Sequence, residues 1–218
     1  MIVAERLERV RDRIVSAGGD PERVRIVAAT KGHPVERIAE LVGAGLVDIG
    51  ESYAQELVEK AEHLPDEVTA LVRWHFIGNL QRNKVRHVAG FVGLWHSVDR
   101  LSLAAEVAQR APGAEVLVQV NVTGLEQQGG CPPGRVAAVV EGCRDLGLDV
   151  RGLMAIGPQG SDDHVRAAFR SVRALADDLG LAERSMGMSA DLEAAVAEGS
   201  TIVRIGTDLV GPRSSSER

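Results

Sequence analysis

Eight short apolar segments of strand length recur along this sequence, and sequence with helical periodicity separates each one from the next. The apolar segments span residues 25–31, 46–51, 74–78, 93–98, 115–122, 150–157, 183–188 and 201–206. Alternating strands and helices predict a parallel sheet, because the helices serve as crossover connections. Eight such units favour closure into a barrel, whereas an open doubly wound sheet usually has fewer strands or an antiparallel edge. The sequence therefore predicts an α/β protein with the TIM (β/α)8 barrel fold.

An additional helix is predicted before the first strand. Its apolar residues lie at spacings of four, three and four, which places them on one helical face; they are Val3, Leu7, Val10 and Ile14. At 218 residues the barrel is near the lower end of the ~200 to over 400 residues usual for this fold, so no length remains for a second domain. We expect one domain over residues 1–213 and a disordered polar tail over residues 214–218.

The charge balance and the hydropathy exclude several kinds of partner. Lys and Arg number 25 while Asp and Glu number 31, so the formal net charge is -6 and nucleic acid would be repelled. No run approaches the ~18 apolar residues of a membrane span, and charged residues from Glu5 onward interrupt any secretory signal. Two cysteines, Cys131 and Cys143, are too few for a disulfide framework. We therefore expect a cytoplasmic protein that binds neither nucleic acid nor a membrane.

Lys31 is a candidate functional residue because it ends the first predicted strand. In a barrel of this kind, the active face is built from the carboxyl ends of the strands and the loops that follow. A lysine at that rim is partly desolvated, which favours its neutral form and makes it a candidate for Schiff-base formation with an aldehyde. The alternative is a lysine that has left the strand and reached solvent.

A second candidate feature lies at the ends of the last two strands. Ser185 and Ser189 bracket the end of the seventh strand, before a short helix, while Gly206 and Thr207 follow the eighth. Loops at these two places form the common phosphate site of this fold, because backbone N–H groups and a helix N-terminus attract an anion. The alternative for Ser189 is an ordinary helix N-cap, which stabilises a helix by roughly 1 kcal/mol.

A Schiff-base lysine and a phosphate site on opposite sides of the barrel mouth fit a phosphorylated aldehyde, and pyridoxal 5'-phosphate (PLP) is the obvious example. Arg204 lies on the eighth strand, between these two features. We expect it to face the pyridine nitrogen, where a permanent cation keeps that nitrogen unprotonated and weakens the ring as an electron sink. The alternative is a structural ion pair between Arg204 and an acidic side chain.

Six motifs, spread in order over nearly the whole chain, resemble the pyridoxal phosphate homeostasis protein family. They lie at 28–31 (AATK), 50–56 (GESYAQE), 74–84 (WHFIGNLQRNK), 151–154 (RGLM), 185–189 (SMGMS) and 203–207 (VRIGT). The resemblance implies the barrel of the alanine racemase N-terminal domain. It also implies a protein of intracellular PLP homeostasis that holds the cofactor as a reversible Schiff base and has no catalytic role.

The same resemblance assigns roles to individual residues. Lys31 would carry the Schiff base, and Arg204 would approach the pyridine nitrogen. The phosphate would be held by Ser189 and the backbone of Gly206 and Thr207, with Ser185 as a further member of that shell. The expected partners are PLP and PLP-dependent apo-enzymes, and the expected state is a monomer.

The sequence departs from the family's usual pattern at three positions. Ser52 stands where an asparagine is usual, and Asn79 and Arg82 differ from the motif of many members. A serine is a shorter donor, so it leaves a gap beside the cofactor or recruits a water. These departures affect the contacts expected after the second and third strands, and leave the lysine and phosphate sites unchanged.

Two other functions remain open on the sequence. A PLP-dependent amino acid racemase needs one base on each face of the substrate, and the only tyrosine available for the second face is Tyr53. A cofactor-free phosphosugar-binding or Schiff-base barrel would need an acid or base near Lys31, and only Glu51 is placed at a strand end to serve. His75 and His96 lie within strands and are interpreted as structural histidines, since no spacing of His, Cys and Asp indicates a metal site.

Overall fold

The computed structural model describes residues 2–211 apart from the side chain of Glu126, and the predicted polar tail at 214–218 lies outside the described residues. Eight parallel strands form a closed barrel in chain order, and β1 pairs with β8 to complete it. This confirms the predicted (β/α)8 barrel. The strands are β1 (Arg25–Ala29), β2 (Asp48–Glu51), β3 (Arg73–Phe76), β4 (Val92–Val98), β5 (Glu115–Val120), β6 (Asp149–Ala155), β7 (Glu183–Ser185) and β8 (Ile202–Ile205).

Helices follow the strands and surround the barrel. They are α1 (Val3–Ser16), α2 (Glu36–Gly43), α3 (Ala54–His63), α4 (Asp66–Thr69), α5 (Val85–Val88), α6 (Leu101–Arg110), α7 (Val136–Asp145), α8 (Asp162–Asp178), α9 (Leu192–Ala197) and α10 (Thr207–Val210), with single 3-10 turns at Arg82–Lys84, Glu126–Gln128 and Pro133–Arg135. The predicted N-terminal helix is confirmed as α1, and its four predicted apolar residues are buried. This helix packs against α9 and α10, beside the ends of the last two strands.

The first strand is shorter than predicted. It ends at Ala29, and Thr30 and Lys31 begin the turn that leads to α2. The turn closes with a hydrogen bond of 3.0 Å from the His33 amide to the Thr30 carbonyl. Apolar composition could not reveal this end, because Thr30 is fully buried although it lies outside the strand. Lys31 consequently lies on a loop at the carboxyl end of the barrel.

The core has two layers. A large apolar layer fills the space between the strands and the surrounding helices. A much smaller apolar cluster lies inside the barrel and consists of Val27, Leu94, Leu117, Met154 and Ile202. Polar side chains occupy much of the remaining interior, namely His75, His96, Gln119, Ser185 and Arg204, all buried. Barrels of this fold usually fill the interior with layers of branched apolar residues, so the polar interior needs a functional or structural explanation.

Candidate cofactor site

Lys31 lies at the mouth of the barrel, in the first turn after β1. Its side chain is half-buried. Within residues 2–211, no hydrogen bond or ion pair involves the Lys31 ammonium. The predicted placement at the barrel rim is therefore observed, and no described side chain or carbonyl engages the amine.

Lys60 lies close by on α3 and has the opposite character. Its ammonium donates to the Thr30 carbonyl at 2.7 Å, to Glu51 Oε1 at 2.6 Å and to Glu56 Oε1 at 2.8 Å. The Thr30 hydroxyl also donates to Glu51 Oε1, at 2.6 Å. We refer to these four residues as the rim cluster. Because all three ammonium hydrogens of Lys60 have acceptors, this lysine is a structural cation and not a nucleophile.

Glu51 anchors the rim cluster from the end of β2. Its side chain is fully buried, and burial raises the pKa of its carboxyl group, while the Lys60 ammonium and the Thr30 hydroxyl oppose that rise. The second carboxylate oxygen, Oε2, is buried and has no hydrogen-bond partner among the described residues. The sequence singled out Glu51 as an acid or base near Lys31. Its observed partners make it the counterion of Lys60.

The chain contains three lysines, and their surroundings distinguish them. Lys60 is saturated with acceptors, and Lys84 ends the 3-10 turn Arg82–Lys84 that follows β3, where it lines a groove with residues of α3. Lys31 is the lysine at the barrel mouth whose ammonium has no partner among the described residues. The geometry therefore favours Lys31 as the amine available for reaction with an aldehyde.

Ser189 lies in the loop between β7 and α9, at the same carboxyl end of the barrel as the rim cluster. Its hydroxyl oxygen is buried and has no hydrogen-bond partner among residues 2–211. The N-cap of α9 is Asp191, whose Oδ1 accepts from the Met188 amide at 2.6 Å. The interpretation of Ser189 as an ordinary N-cap is therefore wrong. A buried hydroxyl without a partner is costly, and a bound anion would satisfy it.

The backbone before Ser189 depends on Gly187. This residue has a φ of 92°, a conformation that glycine adopts without strain, and a Cβ there would lie 2.6 Å from the Ala195 Cβ. Glycine thus allows the loop after β7 to pass closely over α9. The approach brings Ser189 to the mouth of the barrel.

Gly206 and Thr207 complete this side of the mouth. Gly206 is the N-cap of α10, and Thr207 is its first residue. The first N–H groups of a helix have no partner within the helix, so donors are present where the sequence predicts a phosphate. Gly206 lies beside the end of β1, since a Cβ on it would be 3.7 Å from the Ala29 carbonyl oxygen. The expected placement of Lys31 and the phosphate site on opposite sides of the mouth is therefore wrong, because they follow the neighbouring strands β1 and β8. We refer to Ser189, Gly206 and Thr207 as the cradle.

Arg13 on α1 joins the two segments that carry the cradle. Its guanidinium donates to the Ser189 carbonyl at 2.8 Å and to both carboxylate oxygens of Glu193, at 2.6 and 2.7 Å. It also pairs with Asp208 on α10. The hydrogen bond to Glu193 raises the pKa of Arg13, against the effect of burial. Sequence analysis missed Arg13, because its partners are about 180 to 195 residues away in the chain.

Arg204 lies inside the barrel and is almost completely buried. Nη1 donates to the Ser185 carbonyl at 2.8 Å and to Ser185 Oγ at 2.6 Å, and Nη2 donates to the Ala155 carbonyl at 2.9 Å. Burial lowers the pKa of Arg204 to about 10, and the nearby Asp191 carboxylate opposes the decrease. Within the described part of the chain, its hydrogen-bond acceptors are oxygens of Ser185 and Ala155, so the alternative of a structural ion pair is wrong.

Ser185 and the two interior histidines form one hydrogen-bonded group with Arg204. His96 Nδ1 is 3.0 Å from Ser185 Oγ, and His75 Nδ1 is 2.9 Å from His96 Nε2. The interpretation of both histidines as structural is consistent with these buried contacts. Ser185 was predicted as a member of the phosphate shell, and its hydroxyl instead contacts Arg204 and His96 in this structure. Its assignment to the phosphate therefore stays a prediction, while its contact with Arg204 is observed.

The other sequence candidates lie at the edges of the mouth. Tyr53 is 63% exposed at the N-terminus of α3. Gly78 allows the loop after β3 to pass against Ser52, because a Cβ on Gly78 would lie 2.1 Å from the Ser52 carbonyl oxygen. In residues 2–211 there is no group of three or more His, Cys, Asp or Glu that could hold a metal ion. None of the described helices is long and apolar enough to cross a membrane.

Comparison with known proteins gives a consistent result. No family model matches the chain. The chain is 42% identical to the pyridoxal phosphate homeostasis protein of Pseudomonas aeruginosa, over 97% of this chain and 94% of the relative. It is 37% identical to the protein of the same name from Escherichia coli, over 99% of each. The chain belongs to the pyridoxal phosphate homeostasis protein family.

Solved structures agree with the fold and with the family. PipY of Synechococcus elongatus with PLP bound is similar with a TM-score of 0.82 and 33% identity, over 96% of this chain and all of that chain. An alanine racemase from Clostridium difficile matches with a TM-score of 0.71 over 97% of this chain and 61% of that chain. Its identity is 15%, so this likeness concerns the fold alone. The alanine racemase-like barrel expected from the sequence is thereby confirmed.

Proposed function

We propose that this protein binds PLP at the mouth of the barrel, through a reversible Schiff base on Lys31, and serves intracellular PLP homeostasis. The observation that carries the proposal is the pairing of two unsatisfied groups at the mouth. Lys31 has no partner among the described residues, and the buried Ser189 hydroxyl has none either. An aldehyde and a phosphate in one molecule would satisfy both. Membership in the homeostasis protein family and the PLP-bound structure of PipY support this.

The other residues take roles that follow from their chemistry. The Gly206 and Thr207 backbone would donate to the phosphate, together with the Ser189 hydroxyl. Arg204 would face the pyridine nitrogen and keep it unprotonated, because the guanidinium remains a cation at neutral pH. PLP supplies an aldehyde and an electron-withdrawing ring, and an arginine at the ring nitrogen weakens that withdrawal. The site is thus suited to holding the cofactor and poorly suited to carbanion chemistry.

We propose a non-catalytic carrier that acts as a cytoplasmic monomer and releases PLP to apo-enzymes. A racemase would need a second base facing Lys31, and the chain's only tyrosine, Tyr53, is largely exposed at the edge of the mouth. A cofactor-free aldolase would need a free acid near Lys31, and Glu51 is engaged by Lys60 and Thr30. Both alternatives therefore lack a group in the required place.

The test is the visible absorption spectrum of the purified protein with PLP, beside Lys31→Ala and Lys84→Ala. We expect a Schiff-base band in the wild type and in Lys84→Ala, and none in Lys31→Ala. Borohydride reduction and peptide mapping should place the adduct on Lys31. An adduct shared among the lysines, or a band that survives Lys31→Ala, would reject the site. A chirality assay with alanine then tests the non-catalytic role.

A further inference from the structure

A continuous chain of five side chains crosses the barrel interior. Asp48 Oδ1 lies 2.7 Å from His75 Nε2, and His75 Nδ1 lies 2.9 Å from His96 Nε2. His96 Nδ1 lies 3.0 Å from Ser185 Oγ, which accepts from Arg204 Nη1 at 2.6 Å. Asp48 begins β2, at the amino end of the barrel, and is the one partly exposed member. The chain thus connects the far end of the barrel to the interior arginine.

With Asp48 ionised and both histidines neutral, every hydrogen bond in this series has one direction. The Asp48 carboxylate only accepts, so His75 carries its proton on Nε2 and its Nδ1 is an acceptor. His96 then donates from Nε2 to His75 Nδ1, and its own Nδ1 accepts from the Ser185 hydroxyl. A guanidinium only donates, so Ser185 Oγ accepts from Arg204. All the donors therefore point from Arg204 toward Asp48.

This arrangement requires both histidines to be neutral, and their surroundings favour that form. Burial lowers the pKa of His75, against the effect of Asp48, and lowers that of His96 well below its ordinary value. The charged groups Arg25 and Arg73 also disfavour protonation of both rings. A second proton on His75 would place two donors against each other at the His75–His96 contact, and a second proton on His96 would face the hydroxyl proton of Ser185.

The two ends of the chain carry opposite charges. Burial by itself would raise the pKa of Asp48, but its contact with His75, and the charges of Arg25 and Arg73, hold it below the ordinary value. Asp48 is therefore an anion at neutral pH. Arg204 makes its hydrogen bonds to neutral oxygens, and Asp191 acts on it without a direct hydrogen bond. Aligned hydrogen bonds between a cation and an anion strengthen one another.

We propose that Asp48 is a positioning residue for Arg204, which it orients and compensates through the chain of His75, His96 and Ser185. Asp48 in this way sets the electrostatic potential at the inner end of the cofactor site. This inference rests on the proposed function for its effect on PLP. The effect on Arg204 itself is independent of PLP and is tested without it.

The first experiment is nitrogen-15 NMR of the histidine rings in the cofactor-free protein. We expect His75 and His96 each to show a protonated Nε2 and an unprotonated Nδ1 at pH 7. A proton on Nδ1 of either ring, or on both nitrogens of one ring, would contradict the proposed direction of these hydrogen bonds. The measurement is made on the wild-type protein. His75→Gln and His96→Gln serve only to assign the resonances.

The second experiment compares Asp48→Asn with Asp149→Asn. Asp149 begins β6 at the same end of the barrel, and its carboxylate contacts only the Arg151 side chain among the described side chains, so this control removes the same charge without touching the chain. We expect the Arg204 guanidinium nitrogen resonances of the cofactor-free protein to move in Asp48→Asn and to stay in place in Asp149→Asn. Equal responses of Arg204 in the two variants would overturn the proposal.

The third experiment extends the comparison to the PLP-bound protein. Loss of the Asp48 anion makes the potential near the bound ring more positive, which disfavours the protonated Schiff base. We expect the titration midpoint of the visible band to fall in Asp48→Asn, with about a threefold larger acid dissociation constant. Asp149→Asn should leave it in place. A midpoint equal to that of the control would overturn the effect on the cofactor.

Ser185→Ala separates transmission through the chain from action through space. It removes the hydroxyl that joins His96 to Arg204 and changes no charge. In that background Asp48→Asn should move the Arg204 resonances by less than half as much. If Asp48→Asn moves the Arg204 resonances as far in Ser185→Ala as in the wild type, Asp48 does not act on Arg204 through the hydrogen-bonded side chains. If the wild type forms no visible band, the proposed function fails, while the histidine and arginine resonances still decide whether Asp48 acts on Arg204.

Discussion

The two sides of the barrel mouth differ in how far their polar groups satisfy one another. In the rim cluster, Lys60 donates to three oxygens and compensates the buried carboxylate of Glu51, of which only Oε2 has no hydrogen-bond partner among the described residues. In the cradle, the Ser189 hydroxyl is buried without a partner among the described residues. An unsatisfied buried group costs about 1–3 kcal/mol. The rim cluster therefore contributes to fold stability, and under the proposed function the cradle would gain its missing contact from the phosphate of PLP.

The largest loss of unfolding free energy is expected from Lys60→Met, which removes the cation of the rim cluster. Glu51 is then buried without its counterion, and breaking such a pair costs about 3–5 kcal/mol of unfolding free energy. Chemical denaturation measures this loss. Lys84→Met removes the same charge from a surface turn and should change stability by less than about 0.5 kcal/mol. Equal losses in the two variants would mean that the rim cluster is not a stability element.

Ser189→Ala should have the reverse signature. The lost hydroxyl is buried without a partner among the described residues, so the free energy of unfolding of the cofactor-free protein should rise, by up to about 1–3 kcal/mol. Affinity for PLP should fall by about 10- to 100-fold, because a hydrogen bond to a charged group is worth about 1.5–3 kcal/mol. Pyridoxal, which has no phosphate, is the control ligand and should bind both proteins equally. An equal loss for pyridoxal would remove Ser189 from the phosphate site.

Like the rim cluster, the interior histidines His75 and His96 should affect the free energy of unfolding, through its dependence on pH. Their pKa values are lowered in the folded protein, so the unfolded chain binds more protons below its ordinary histidine pKa of about 6.5. Stability present above that pH is therefore lost as the pH falls, by up to about 1.4 kcal/mol per pH unit for each histidine. Denaturation between pH 7.5 and 5.5 measures the slope. His96→Gln should flatten it, whereas the exposed His164→Gln should leave it unchanged.

The smallest effect is expected at Arg13, which supports the cradle from outside. Its ion pairs are partly exposed, and such pairs contribute about 0.2–1 kcal/mol. Arg13→Gln should weaken PLP binding about threefold and leave pyridoxal binding unchanged. Arg11→Gln on the same helix, whose guanidinium pairs with Glu8, is the matched control. Loss of PLP affinity in both variants would show that α1 acts only through general stability.

The fold could be predicted from the sequence because periodicity is local. Apolar segments of strand length and helical spacing defined the eight units and α1, and both are confirmed. The positions of Lys31 and Ser189 were predictable for the same reason, since strand ends of a barrel meet at one face. The end of β1 was not, because Thr30 is fully buried and its amide still donates to the Gly50 carbonyl of β2, although Thr30 lies outside the strand.

The partners of the site residues could not be predicted. Lys60 and Thr30 are 30 residues apart, and Arg13 and Ser189 are 176 apart, so no local pattern records either contact. The alternative for Arg204 was an ion pair with an acidic side chain, whereas carbonyl and hydroxyl oxygens satisfy it across the barrel interior. Sequence reasoning identified which groups could react. The three-dimensional contacts decided which of them are already engaged.

Closure of the barrel between β1 and β8 has a consequence for synthesis on the ribosome. Lys31 follows the first strand, and the cradle follows the last two, so the two halves of the site are made at opposite ends of translation. A nascent chain that ends before β8 has the amine and Ser189 but lacks Gly206 and Thr207, so its cradle is incomplete. Under the proposed function, selective capture of PLP would therefore begin only when β8 is made and the barrel closes.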